Sequence, residues 1–414
     1  MLSRIFGQNN VKQGLSWSLY DFANSSYAVL IMSFVFPIFY RELVVGKERG
    51  DFYWGLITSF SILLGALAAP IIGAMADEDG RKKRKFVFAV LVAILATALL
   101  YFSGPGRLLM TSLIFIAANL CFEIAQTLYD SFLGHIAPKN LWGRISGFAW
   151  GLGYIGGVAS MLLLMPFFSK GFEGELINKY RLTFPLTALF FLVFSLPIFF
   201  WVKEPPSNIA KSIKQLMASG FGRVIHTVKN IRNYKDIAWF LLAFYFMNDA
   251  MVTMFSFMPI FARTTLGIPF KELTLLLLGV QIIAFPAAWF SGWLSDKIGQ
   301  KPILLTTLAG WFALTTVIFF SQAPWHFYIA ALFGGLVIGS SQGAARAWMT
   351  KLVPEEKRSE FFGFNGFASK ISATTGPVIF GALASFTGNQ RWGVLAMLPF
   401  FVVSFVIFSK IKET

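Results

Sequence analysis

Apolar residues in this chain gather into long runs separated by short polar breaks. They neither alternate as in a half-buried strand nor form the narrow stripe of a surface helix. Twelve runs lie near 15–40, 53–75, 86–103, 108–135, 144–168, 182–202, 237–264, 272–294, 302–320, 325–350, 361–386 and 390–409. Each suffices, as a helix, for a hydrocarbon core of about 30 Å. The pattern predicts an all-α membrane protein with twelve transmembrane helices. The first run passes through Asp21 and Asn24 into a long second half, unlike a cleavable leader.

One long polar segment, 203–236, interrupts the series and divides the chain into a six-helix bundle (1–202), a linker (203–236) and a second six-helix bundle (237–414). Pro205 and Pro206 end the sixth helix. Beyond them Ile213, Leu216, Met217, Phe221, Val224, Ile225, Val228 and Ile231 recur at three- and four-residue spacing between lysines and arginines. That pattern predicts a basic amphipathic helix on the cytoplasmic leaflet, acting as a tether or in regulation. The halves echo one another: Phe36-Pro-Ile-Phe39 answers Met258-Pro-Ile-Phe261, and Ala137-Pro138 with Gly147-Phe148 answers Val353-Pro354 with Gly363-Phe364. Parallel repeats of this kind place a substrate site near mid-membrane, with alternating access by rocking.

Composition agrees, with 56% hydrophobic and only 13% charged residues. The net charge of +15 would suit nucleic acid, but its distribution argues for lipid. With the N-terminus in the cytoplasm, the cytoplasmic loops hold 23 lysines and arginines and the opposite loops 10. By the positive-inside rule both termini are cytoplasmic, and the basic excess meets anionic lipid. The single cysteine, Cys121, has no internal disulfide partner, and His135, His226 and His326 are too scattered to hold a metal. No phosphate-binding loop, nucleophile–base pair or cofactor motif is recognisable, so a gradient-driven, non-enzymatic role is expected.

Charge at membrane depth is costly, so intramembrane charges are functional candidates. These are Asp21 in helix one, Glu123 and Asp130 in helix four, Asp249 in helix seven, Arg346 in helix ten and Lys370 in helix eleven. Glu123 and Asp249 lie about 18 Å from the cytoplasmic helix ends, at mid-membrane. Positions 123, 126, 127 and 130 share one helix face, so Glu123, Gln126, Thr127 and Asp130 form a polar stripe. Tyr20, Asp21, Asn24 and Tyr27 on helix one, Tyr245, Asn248 and Asp249 on helix seven, and Gln342 and Arg346 on helix ten add to it. Asp130 and Arg346 are one repeat apart and opposite in sign. They are read as a cytoplasmic gate pair, or alternatively with Arg346 gripping an anionic substrate group. Acids in the first half and bases in the second would suit a zwitterion; pairing among themselves would instead suit a neutral substrate. Glu123 is the preferred proton carrier and Asp249 the second; each is equally readable as a structural hydrogen-bond partner.

Two cytoplasmic loops share one signature. Gly73-Ala-Met-Ala-Asp77-Glu-Asp-Gly80-Arg81 is echoed by Gly292-Trp-Leu-Ser-Asp296-Lys-Ile-Gly299-Gln-Lys301. This resembles the loop motif of major facilitator transporters, which implies their twelve-helix fold. It also implies a latch role for Gly73, Asp77, Gly80, Arg81 and Asp296, against the plainer reading of a topology signal. In that superfamily helices one, four, seven and ten line the central cavity. Trp17-Ser-Leu-Tyr20-Asp21-Phe-Ala-Asn24-Ser25, Asn248-Asp249, and Gln342-Gly-Ala-Ala-Arg346 with Glu360-Phe-Phe-Gly363-Phe and Gly376-Pro377 narrow the resemblance. They are similar to the "unknown major facilitator" family, whose fungal relatives are autophagy-related vacuolar amino-acid effluxers. The chain departs from it at Asp130, where relatives often carry asparagine, and at Ala345, where a serine precedes the arginine.

The resemblance implies a secondary transporter of amino acids or related zwitterions. It is expected to be monomeric, proton-coupled and resident in the cytoplasmic membrane. Export of amphipathic compounds or lipids is the alternative within transporters, and a non-transporting sensor or scaffold the alternative outside them.

Overall fold

The computed structural model describes residues 11–46, 48–78, 82–136, 142–203, 234–352 and 368–412. They are helical nearly throughout, with helices where the apolar runs predict them. The first run is α1 (Val11–Ser26), a wide π-helical stretch (Tyr27–Ser33), α2 (Val35–Phe39) and a second wide stretch (Tyr40–Val45). Then come α3 (Gly50–Glu78), α4 (Lys82–Leu99), α5 (Leu108–Ile136), α6 (Trp142–Phe168), α7 (Leu176–Arg181) and α8 (Thr183–Trp201). Beyond the linker lie α9 (Lys235–Thr264), α10 (Phe270–Ile298), α11 (Gln300–Phe320) and α12 (Pro324–Leu352). The last are α13 (Thr375–Thr387), α14 (Gln390–Leu395) and α15 (Leu398–Lys410). Among the described residues ten helices are long and apolar enough to cross a membrane. The linker residues 204–233, with the expected amphipathic helix, lie outside the described residues.

The eleventh run is not one helix. Residues 368–372 are helical, a turn follows at 373–374, and α13 restarts at Thr375. Gly376 and Pro377 account for the restart: proline fits the first turn of a helix, whose N–H groups lack intrahelical partners. Gly299, at φ 95°, ends α10 in a conformation open to glycine but strained for other residues, so the glycine of the second loop signature has a local cause.

The described chain forms two compact units, Met1–Phe39 with Ser61–Arg223, and Tyr40–Phe60 with Val224–Thr414. In the first, α1 packs on α6 and α8, and α4 on α5 and α8. In the second, α9 packs on α13 and α15, and α11 on α12 and α15. The α1–α6, α1–α8, α4–α5 and α4–α8 pairs of the first unit correspond in order to the α9–α13, α9–α15, α11–α12 and α11–α15 pairs of the second. Gly156 of α6 lies against the Phe22 carbonyl of α1, where a Cβ would collide. Small residues permit such a close approach of two membrane helices. Side chains such as Phe88, Leu109, Phe200 and Phe386 stand exposed, as lipid-facing residues would.

Candidate functional site

Two polar groups stand out, one in each unit. In the first unit, Asn24 of α1 reaches α5. Its Nδ2 donates to Gln126 Oε1 at 3.0 Å and to Asp21 Oδ1 at 3.3 Å. Gln126 Nε2 then donates to Asp130 Oδ1 at 3.2 Å. Asp21, Asn24, Gln126 and Asp130, all expected site residues, thus form one hydrogen-bonded chain. It runs from the half-buried Asp21 to the exposed Asp130. Aromatic packing fixes the frame: Trp17 stacks on Tyr129 with centroids 4.5 Å apart, and its indole N–H donates to the Tyr129 carbonyl at 3.0 Å. Glu123, on the same helix, is half-buried, and its Cβ lies against Gly65 of α3. Here the helix face predicted from spacing is the face that carries the bonds.

The second group is centred on a buried carboxylate and reaches the surface at Thr375. Asp249 of α9 is fully buried. Its Oδ1 accepts the Gly376 backbone N–H at 2.8 Å, while Oδ2 is buried with no hydrogen-bond partner among the described residues. Asn248 Nδ2 donates to the Ser369 carbonyl and to Ser372 Oγ, both at 2.9 Å. Tyr245 and Thr375 hydroxyls are 3.1 Å apart. Every one of these bonds is directed at the break before α13, whose freed backbone groups need partners. Gly376 is required by space: a Cβ there would strike Thr253 Oγ1 and come within 2.8 Å of Asp249 Oδ1.

The remaining expected residues are placed less completely. Gln342 is exposed on α12 and Lys370 is half-buried in the helical stub 368–372. Arg346 lies in α12, Gly73 and Asp77 near the end of α3, and Asp296 near the end of α10; their side chains are outside the described residues, as are Gly80, Arg81 and the Glu360 block altogether. Lys301, the base closing the second loop signature, has a plain structural role. Its Nζ donates to the Ser409 and Ile411 carbonyls at 2.8 and 2.6 Å, at the C-terminal end of α15.

Sequence reasoning missed a third set, within the second unit. Asp51 is buried and paired with Arg41, Nε to Oδ1 at 3.3 Å, and it accepts from Gln390 Nε2 at 2.7 Å. In the first unit Lys82, the first residue of α4, is buried as well. Asp51 lies just before the second apolar run and Gln390 opens the twelfth, where a polar residue reads as loop.

A family model described as "Vacuole effluxer Atg22 like" matches residues 51–413. The chain is 28% identical to the MFS-type transporter YxiO of Bacillus subtilis (strain 168), over 97% of this chain and 95% of that one. It is 22% identical to "Autophagy-related protein 22" of Eremothecium gossypii, over 91% and 80%. Among solved structures it is similar to the nucleoside transporter NupG, with TM-score 0.75 and 11% identity, covering 97% of this chain and all of that one.

Proposed function

Because this chain belongs to the Atg22-like vacuole effluxer family of major facilitator transporters, we propose that it moves a small zwitterion, an amino acid or close relative, across the cytoplasmic membrane by alternating access, driven by protons. The fold and the transporter class are those of its relatives. The substrate and the driving ion are our reading, as are twelve spans, two six-helix repeats joined by the 203–236 linker, a monomeric state and cytoplasmic termini.

The observation that carries this reading is the Asp21–Asn24–Gln126–Asp130 chain. A membrane helix gains nothing from a buried amide, a half-buried amide and two carboxylates on facing surfaces unless they meet something polar. The carboxylates supply an ammonium-binding wall, and the amides can exchange their mutual bonds for bonds to a substrate at small net cost. Glu123 sits one helical turn from Gln126 and is the acid best placed to exchange a proton with that wall. Asp249 is the second, with one carboxylate oxygen that has no hydrogen-bond partner among the described residues. Arg346, Gln342 and Lys370 would receive the substrate carboxylate. Gly73, Asp77, Gly80, Arg81 and Asp296 would act on the cytoplasmic side as a conformational latch.

The test is uptake of pooled labelled amino acids into proteoliposomes, with and without an imposed proton gradient. Wild type should accumulate at least one amino acid under the gradient, and Glu123→Gln should lose the gradient dependence while still exchanging substrate. Movement of no amino acid by folded, inserted protein would end the zwitterion reading and direct the search to amphipathic compounds.

A further inference from the structure

Two stretches of the first unit carry buried polar atoms that have no hydrogen-bond partner among the described residues. Around the turn from α4 to α5 these are Ser103 Oγ and Thr111 Oγ1; where α7 passes into α8 they are Arg181 Nε and Thr183 Oγ1. The stretches meet, since residues 100–102 pack on both α7 and α8. Arg181 joins them: its guanidinium lies on Gly104, where a Cβ would collide with Nη2. Arg107 brings a second guanidinium. Its backbone N–H donates to the Gly104 carbonyl at 3.2 Å, and its Nη1 donates to the Phe102 carbonyl at 2.8 Å. Its charge acts on Arg181, and neither arginine has an acidic partner among the described residues.

A guanidinium keeps its charge in any protein setting, so this pair repels itself and cannot relax by losing a proton. Buried polar groups are ordinarily hydrogen-bonded. Two forked donors, with spare hydroxyls in both stretches, match an oxyanion that offers several acceptor oxygens, and the fork fits phosphate in particular. The surroundings point to where such an anion comes from. Phe102, Leu109 and Leu113 on one side and Leu182 and Leu189 on the other are exposed apolar residues, a surface for acyl chains. In the topology proposed above, this is the non-cytoplasmic end of helices three, four and six, with the arginines at headgroup level.

We propose that Arg181 and Arg107 hold the phosphate group of an anionic phospholipid of the non-cytoplasmic leaflet, which ties the α4–α5 turn to the α7–α8 junction. The site goes beyond the transport reading: it needs the membrane topology, but no particular substrate or driving ion.

The test uses the full chain in a nonionic detergent, with thermal melts and native mass spectrometry of bound lipid. Dioleoylphosphatidylglycerol should stay bound and raise the unfolding temperature. Dioleoylglycerol, with the same chains and no phosphate, should do neither. Arg181→Gln should weaken phosphatidylglycerol binding about tenfold, and Arg107→Gln, which removes an exposed group, about threefold. Without lipid, Arg181→Gln should melt no lower than wild type, because this guanidinium has no hydrogen bond to lose; a merely structural arginine would lower it. Lys179→Gln, at an exposed cation of α7, should leave binding unchanged. If Arg181→Gln does not fold, Arg107→Gln and Arg181→Lys, which keeps the charge but not the fork, carry the test. Undiminished binding by the folded arginine variants, or an equal loss with Lys179→Gln, overturns the proposal. Inorganic phosphate that stabilises wild type as much as the lipid does, but not Arg181→Gln, overturns the lipid source and assigns the site to a soluble anion.

Discussion

The polar groups of the two units use similar side chains for opposite ends. In the first unit the bonds run from side chain to side chain, Asp21 to Asn24 to Gln126 to Asp130, and the far end is exposed. In the second, Asn248 and Asp249 are buried and bond chiefly to the backbone of a broken helix. A side-chain bond beside water can be traded for a bond to a solute; a backbone group freed by a helix break in a dry interior has no other partner. On the function proposed above, the first group serves ligand exchange, while the bonds of the second hold the chain in an irregular shape. Sequence alone ranks the two alike, because both appear as polar residues at helical spacing in apolar runs.

The largest expected effect tests the second group. Asp249→Ala removes the acceptor of the Gly376 N–H and leaves a void, and should cost about 3 kcal/mol. It would be read as a lowered unfolding temperature of the purified protein in detergent. Asp249→Asn keeps an oxygen for that N–H and should retain most of the stability. If the alanine variant melts with the wild type, Asp249 does not hold the break, and the contrast between the units fails.

Next in size is Gly376→Ala. The new methyl meets Thr253 Oγ1 and Asp249 Oδ1, and overpacking of this kind costs about 1–3 kcal/mol. A Thr253→Ser, Gly376→Ala double variant should stay as unstable as the single one, because the colliding hydroxyl remains. Thr253→Ala should relieve part of the cost, which a thermal melt of the three proteins would resolve.

In the first unit the expected balance is reversed. Asn24→Ala and Gln126→Ala should each cost about 1 kcal/mol in stability, the net worth of an ordinary hydrogen bond. Their coupling in a double-mutant cycle should be about 0.5–1 kcal/mol. The main effect should fall on apparent substrate affinity in the uptake assay. Loss of several kcal/mol of stability from either variant, with affinity unchanged, would make this chain structural too and erase the distinction.

These differences mark what could be read without coordinates. Helix positions, the face of Asp21 and Asn24 on the first helix and the face of Gln126 and Asp130 on the fourth follow from run length and from three- and four-residue spacing, which are local properties; the Asn24–Gln126 bond that joins the faces does not. The break at 373–374 could be suspected from Gly376-Pro377, but its partner Asp249 lies 127 residues away, and no local pattern joins them. The Asp51–Gln390 bond spans 339 residues, and both members sit at the edges of apolar runs where polarity is ordinary. Packing of residues 40–60 with the second unit cuts across chain order, so periodicity contains nothing of it.

The smallest effect sharpens the comparison most directly. Lys301, like Asp249, directs its side chain at backbone groups left open by a helix end, the Ser409 and Ile411 carbonyls. Unlike Asp249, it does so with one of those contacts in exposed surroundings. If the backbone target sets the cost, Lys301→Met should destabilise as much as Asp249→Ala. If burial sets it, water satisfies the carbonyls and the loss is only that of a favourable charge at a helix C-terminus, about 0.3–1 kcal/mol. We expect the second result, with the difference shrinking further in high salt. Thermal melts of Lys301→Met and Asp249→Ala at low and high salt would separate the two, since only the lysine variant should show a salt-dependent gap from wild type.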